Sequence, residues 1–328
     1  MKPIYRSISG LSVESACARK GLFKRDPANY KPSHRPGSMI RGQALHRAIR
    51  YMHDHPRDAV ENAFMQEMDQ IEAWTDIPIE WGAKGRDHHI GVGIKMLDYY
   101  WKANGPDSES PADVRSSERW FFIDLPMPDG SVEHIRGRFD QIRNMDGALV
   151  IVEIKTGDQK PDVARLRRDL QCGLQAYALK FGYIQIGDAP YIGPADKNYH
   201  RHDFEFRRDV GDVKVFGCKH CRAEFEYFDQ WPDAVYLYHV ASLLPYAKDE
   251  KKGITTPRGI PWYRIEMREE HVDRLRARMV QKINAVRQAE STGDFAPTLV
   301  DGWNSPCEGC EFSSLCDDLE VCIVKEGS

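Results

Sequence analysis

Three runs in the middle of the chain, from Ser117 to Asp124, from Glu133 to Arg143 and from Ala148 to Lys155, are rich in aromatic and β-branched residues and are divided by turn-forming segments. Runs of this kind read as strands. Their connections are too short for crossover helices, so an antiparallel meander is expected, with Asn144-Met145-Asp146-Gly147 as the turn between the last two. Leu166, Leu170, Leu174, Tyr177 and Phe181 then recur at helical spacing. A meander followed by a core helix predicts an α/β chain.

The remaining elements are read in the same way. Ile40, Ala44, Leu45, Ala48, Ile49 and Met52 mark the buried stripe of a helix from about Ser38 to His53. Pro, Gly and Asp punctuate loops near 26–38, 104–112, 126–130 and 187–195. Residues 183–231 break the regularity and read as an insertion, with strand-like pieces around Cys218-Lys219-His220-Cys221. Ala234 to Ala241 and Trp262 to Met267 read as further strands, and Glu269 to Ala289 as a long charged helix before a cysteine-rich segment over 294–328.

With 328 residues, 41% of them hydrophobic, the chain can bury a substantial core, and length alone allows one large domain or two smaller ones. A formal net charge of −4 gives no global attraction to nucleic acid, so DNA contact falls to local basic patches. The longest aliphatic run, Ala148 to Val152, is far below the roughly 20 residues of a membrane span. The opening MKPIYRSISG has no apolar stretch of signal-peptide length. A cytoplasmic protein without a membrane partner is expected.

In Glu153-Ile154-Lys155 strand alternation puts Glu153 and Lys155 on one face and turns Ile154 into the core. A carboxylate can hold a divalent cation. An ammonium two residues along can position or deprotonate water, or steady charge in a phosphodiester transition state. Asp140 lies on the preceding strand. Opposite Ile151, its diagonal neighbour on the same face is Glu153, roughly 7–8 Å away. Opposite Val152, the two carboxylates would part to opposite faces, so the first register is the expected one. An isolated E-x-K is more often a solvated polar face, and its company decides.

That company is Gly137-Arg138-Phe139-Asp140, then an apolar strand ending in Glu153-Ile154-Lys155-Thr156-Gly157, then a helix bearing Gln171 and Gln175. The order resembles the RecB-like branch of the PD-(D/E)XK nucleases. The resemblance implies a single domain over 1–328 with a restriction-endonuclease-like core, a central mixed sheet flanked by helices. It also implies a histidine on an early helix as a further metal ligand, which Gly42-Gln43-Ala44-Leu45-His46 supplies in its Gly-x-x-x-His pattern. The implied metal set is His46, Asp140, Glu153 and the carbonyl of Ile154, and Lys155 completes the catalytic group. Glu118 resembles an acidic residue that some relatives place beside the metal.

The family helix after E-x-K carries a glutamine and, four residues on, a tyrosine. Here Gln171 is followed by Gln175, with Tyr177 two residues later, and which glutamine takes the role is left open. Arg168, Gln171 and Gln175 share a helical face, either as a solvated stripe or facing DNA. Arg165, Arg167 and Arg168 form the best local basic patch for phosphates. Tyr177 is assigned to DNA contact by the resemblance.

Eight cysteines in a reducing compartment are metal ligands or buried thiols rather than disulfides. Cys307, Cys310 and Cys316 give C-x2-C-x5-C, and the only early cysteine is Cys17. Four thiolates hold a [4Fe–4S] cluster or one zinc, and spacing does not separate these. One early and three late cysteines resemble the iron–sulfur RecB-like nucleases, which include the AddB subunit of end-resection enzymes and the exonuclease associated with CRISPR adaptation. By that resemblance the cluster is iron, a staple between the N- and C-terminal regions. Cys218 and Cys221 are half of a metal knuckle, with His200 and His202 as zinc partners, or two reduced thiols at a turn. Cys172 reads as an apolar filler and Cys322 as a bystander.

The expected function is magnesium- or manganese-dependent hydrolysis of DNA, as an exonuclease on single strands or ends. The setting is recombination, repair or CRISPR adaptation, with protein partners from such a complex. The alternatives are a non-catalytic DNA-binding or assembly subunit that keeps the fold, and a zinc-stabilised protein whose E-x-K is coincidental.

Overall fold

The computed structural model describes residues 5–7, 17, 20, 23–24, 30–109, 111–158, 160–161, 170–187, 200–265, 268–293 and 312. After the short strand β1 (Arg6–Ser7), β2 (Arg35–Pro36) leads into helix α1 (Gly37–Tyr51), followed by α2 (Arg57–Trp74), β3 (Ile79–Glu80) and α3 (Gly85–Asn104). The meander is β4 (Asp113–Pro126), β5 (Val132–Met145) and β6 (Ala148–Lys155), and then comes α4 (Leu170–Phe181). Strands β7 (Tyr183–Gln185), β8 (Phe204–Val210), β9 (Val213–Cys218), β10 (Glu224–Tyr227), β11 (Ala234–His239) and β12 (Trp262–Ile265) precede the last helix, α5 (Val272–Thr292).

One mixed sheet runs in the order β12-β11-β6-β5-β4-β7-β10-β9-β8, with β1 parallel to β5. β6 and β11 are parallel, as a crossover demands, and the meander is antiparallel. The region read as an insertion contributes β7 to β10, which extend the sheet beyond β4.

Alternation along β6 divides the core. Val150, Val152 and Ile154 pack beneath α1, α2 and α3, while Leu149 and Ile151 pack against α4 and α5 with Leu174, Leu275, Met279 and Ile283. Glu153 has the parity of Leu149 and Ile151 and therefore meets α4. Among the described residues no helix is long and apolar enough to cross a membrane.

The three expected strands of the meander are present, but the register differs from expectation. Ile142, not Asp140, lies opposite Ile151, and Gln141 lies opposite Val152. The reason is the turn: Asp146 and Gly147 both take positive φ, 53° and 82°, making a two-residue connection that fixes Met145 opposite Ala148. The two-residue slip preserves the face, so Asp140 comes abreast of Glu153 instead of diagonal to it. Helices α2 and α3 were not anticipated. Their apolar rows, Val60, Phe64 and Met68 on one and Met96, Leu97, Tyr100 and Trp101 on the other, cover α1.

Candidate active site

Helix α1 crosses the C-terminal end of β6 at close quarters. A Cβ at Gly42 would stand 3.0 Å from Thr156 Oγ1, so the glycine of Gly-x-x-x-His allows the approach. His46, about one turn further along, then hangs over the sheet. Its Nδ1 lies 3.3 Å from Asp140 Oδ1 and 3.4 Å from Glu118 Oε1. Ligand atoms of these three side chains fall within 4.8 Å of one another.

Glu118 reaches this position through its backbone. Paired strand residues Ser117↔Gln141 and Arg119↔Phe139 flank it, while Glu118 itself adopts φ 53°, a left-handed conformation that is uncommon for a side-chain-bearing residue within a strand. Strain of this kind gathers where a side chain must be aimed. Arg138 Nε holds the other Glu118 oxygen at 2.7 Å.

Burial pushes the His46 imidazole down, but the charges of Asp140 and Glu118 outweigh it and carry its pKa up to about 10. Burial pushes Asp140 up, and His46 together with the Ile154 N–H, which donates to Asp140 Oδ2 at 2.7 Å, brings it below the usual carboxylate range. The site therefore attracts positive charge between its carboxylates. One imidazole nitrogen and two carboxylates suit a divalent cation of the magnesium–manganese class.

Glu153 is almost fully buried, at 2% exposure. Lys155 Nζ and Gln171 Nε2 donate to its Oε1 at 2.6 and 2.7 Å, and Gln175 Nε2 donates to its Oε2 at 2.7 Å. Both glutamines thus donate to one carboxylate. Burial, then the charge of Asp140, pushes the Glu153 pKa up to about 7. Burial would lower Lys155, but Glu153 and Asp140 overcome it and keep the ammonium protonated.

His46, Glu118, Asp140, Glu153, Lys155 and Gln171 line a cleft of about 750 Å³. Arg47, Arg50 and Arg138 stand on its wall, and a neighbouring depression continues past Arg47 and Arg50 to Arg115 and Arg119. Burial, followed by the charge of Arg47, lowers the Arg50 pKa, with Arg119 and Arg138 adding to the repulsion. Crowding of like charge next to an acidic centre is what a bound polyanion would relieve. The sequence reading missed this group, because α1 and β4 each contribute arginines that look scattered along the chain. Beneath the cleft, Arg41 reaches Asp158 at 3.0 Å and His239 Nε2 lies 2.7 Å from the Gly157 carbonyl, holding the segment that follows Lys155.

The other expected residues are distributed as follows. Tyr177 does not face the cleft. It is 5% exposed and sits in the core with α5, since its position on α4 points into the apolar layer, so the DNA-contact assignment is corrected. Cys172 fills that core as expected. Arg165, Arg167, Arg168, Cys307, Cys310 and Cys316 lie outside the described residues. Cys17 is buried, and its Sγ accepts from the Lys20 N–H at 3.4 Å. Phe312, between Cys310 and Cys316 in sequence, packs on Phe23 with ring centroids 5.4 Å apart. His200, His202, Cys218 and Cys221 come together on the β8–β10 side of the sheet.

No curated protein matches the chain. A solved structure described as "Crystal structure of SSO0001" is 16% identical, covering 91% of this chain and 96% of that one, with a TM-score of 0.30, too low to carry an argument. The family model described as "PD-(D/E)XK nuclease superfamily" matches residues 7–317, nearly the whole length and every element that builds the cleft. This chain therefore belongs to the PD-(D/E)XK nuclease superfamily.

Proposed function

We propose that the protein is a metal-dependent deoxyribonuclease, an exonuclease acting on single-stranded DNA or DNA ends. The observation that carries this reading is the convergence of His46, Glu118 and Asp140 beside the Glu153–Lys155 pair in an arginine-walled cleft. When bound, magnesium or manganese supplies Lewis-acid stabilisation of phosphoryl charge and a more acidic water. His46, Glu118 and Asp140 are the ligands that geometry favours, with Glu153 and the Ile154 carbonyl added by family resemblance. Glu153 belongs to the same centre through its lysine. Tied down by Gln171 and Gln175, it fixes the Lys155 ammonium at the mouth of the cleft, where Lys155 steadies charge on the scissile phosphate and leaving oxygen.

Arg47, Arg50, Arg115 and Arg119 form the phosphate track. Arg47→Glu combined with Arg50→Glu, placed in a cleavage-inactive background, is expected to weaken single-stranded DNA binding at least about tenfold and to flatten the salt dependence by about one per side chain. Fluorescence anisotropy across a salt series measures both. An unchanged slope would remove these arginines from the interface.

A [4Fe–4S] cluster on Cys17, Cys307, Cys310 and Cys316 completes the reading. The Phe312–Phe23 contact supports it, since Phe312 lies between Cys310 and Cys316 in sequence and Phe23 follows Cys17 by six residues. Cys17→Ser is expected to lose the iron absorbance of anaerobically purified protein and to lower its melting temperature. Iron at wild-type level in that variant would dissociate Cys17 from the cluster. A RecB-like nuclease of this form fits cytoplasmic recombination, repair or CRISPR adaptation, alongside protein partners.

The deciding assay is cleavage of end-labelled single- and double-stranded DNA by anaerobically purified protein with magnesium or manganese. Cutting that needs the cation supports the nuclease. Binding without cutting by iron-loaded protein favours a non-catalytic DNA-binding or assembly subunit.

A further inference from the structure

We infer that His200 Nε2, His202 Nδ1, Cys218 Sγ and Cys221 Sγ form a mononuclear zinc site on the wing of the sheet remote from β6. The four ligand atoms fall within 4.8 Å of one another. Zn–S bonds of about 2.3 Å and Zn–N bonds of about 2.0–2.1 Å at tetrahedral angles separate sulfur from nitrogen by about 3.6 Å. The two Cys–His distances, 3.4 Å for Cys218–His200 and 3.9 Å for Cys221–His202, bracket that value. An iron–sulfur cluster spreads its protein ligands over several metal atoms and needs wider separations than a single ion.

The backbone prepares the site. Cys218 ends β9, and its N–H donates to the Ala223 carbonyl at 3.0 Å, closing the turn that carries Cys221 back into β10. The His220 N–H donates to Cys218 Sγ at 3.3 Å, a contact that favours a thiolate. Lys219 N–H donates to the Asp203 carbonyl at 3.0 Å, and Phe204 pairs with Cys218, so the start of β8 is registered against the turn and His202 is brought over it. The His202 ring is then set by Phe122 and Phe225, with centroids 4.7 and 4.8 Å away. Two imidazoles and two thiols from separate segments converge without a carboxylate among them, which is a soft donor set that selects zinc over magnesium or manganese.

The ion would do more than close a turn. The His202 N–H donates to Tyr5 Oη at 2.7 Å, and the next residue, Arg6, pairs with β5 and forks to Glu133 and Glu290 at 2.6 and 2.9 Å. Zinc thereby anchors the knuckle against which the first described strand of the chain is laid.

The test uses the full chain grown with added zinc and analysed by mass spectrometry for metal content. About one zinc per chain is expected, lost in Cys218→Ser/Cys221→Ser and retained in Cys17→Ser. Should the double variant fail to fold, cobalt titration of zinc-stripped wild type decides. Intense red ligand-field bands with thiolate charge transfer are expected from a tetrahedral two-sulfur, two-nitrogen site. Zinc-free wild type after reconstitution, zinc that survives the double substitution, iron in place of zinc at these cysteines, or an octahedral cobalt spectrum would each overturn the assignment.

Discussion

Asp140→Asn is expected to cleave DNA at least about a thousandfold more slowly than wild type at equal manganese, while unfolding at nearly the same urea concentration. Asp140 is placed twice over. One oxygen accepts the Ile154 N–H, and the other faces His46. Asparagine keeps the shape and still offers a carbonyl to Ile154, so the strand end survives. What goes is one of the two anionic ligands of the proposed cation site, along with the largest charge partner of His46. A cation then meets one imidazole and Glu118, which is itself shared with Arg138. Glu153→Gln should follow Asp140→Asn in the same end-labelled assay by an added route, since it also loosens Lys155. Cleavage by Asp140→Asn within tenfold of wild type would show that the cation binds elsewhere.

The second large effect is on stability. Arg143→Ala should cost about 3–5 kcal/mol in urea unfolding. Its guanidinium is 2% exposed and donates to Gln141 Oε1 at 2.8 Å, Asn104 Oδ1 at 3.0 Å and Tyr100 Oη at 2.7 Å, over the ring of Trp262. All three acceptors are neutral, so the buried charge relies on the full fork and the ring. Asn104 is engaged in turn with Tyr238. Truncation leaves Asn104 Oδ1 and Tyr100 Oη without the guanidinium, Gln141 Oε1 with only the Tyr100 hydroxyl at 3.4 Å, and a cavity between α3 and the sheet. Arg143→Lys keeps the charge but cannot form the fork, and falls between wild type and alanine. A loss under about 1 kcal/mol would mean that neighbouring groups re-pair among themselves.

Much of this architecture is legible in the residues. The aromatic and β-branched runs of the meander, the stripe of α1 and the shared face of Glu153 and Lys155 all follow from period and composition. The register does not, because a strand pattern of period two looks the same after a two-residue slip, and only the Asp146-Gly147 turn distinguishes the two pairings. Helices α2 and α3 begin after Pro56 and Lys84 without a side-chain cap, so their starts carry little local signal. Arg143 reads as one more polar position on a strand, and its burial depends on α3 arriving above it. The arginines of the cleft wall come together only by tertiary proximity, whereas Cys218-Lys219-His220-Cys221 and the two histidines before it already mark the second cluster in the sequence.

The left-handed backbone at Glu118 ties durability to activity at one residue. Holding a non-glycine side chain there costs about 1 kcal/mol, which the ion pairs of its buried carboxylate with His46 and Arg138 offset. Glycine at this position would relax the backbone but would leave His46 and Arg138 without that partner and remove a carboxylate from the proposed cation site. The strained backbone, the two ion pairs and the proposed cation site therefore stand or fall together at this one position.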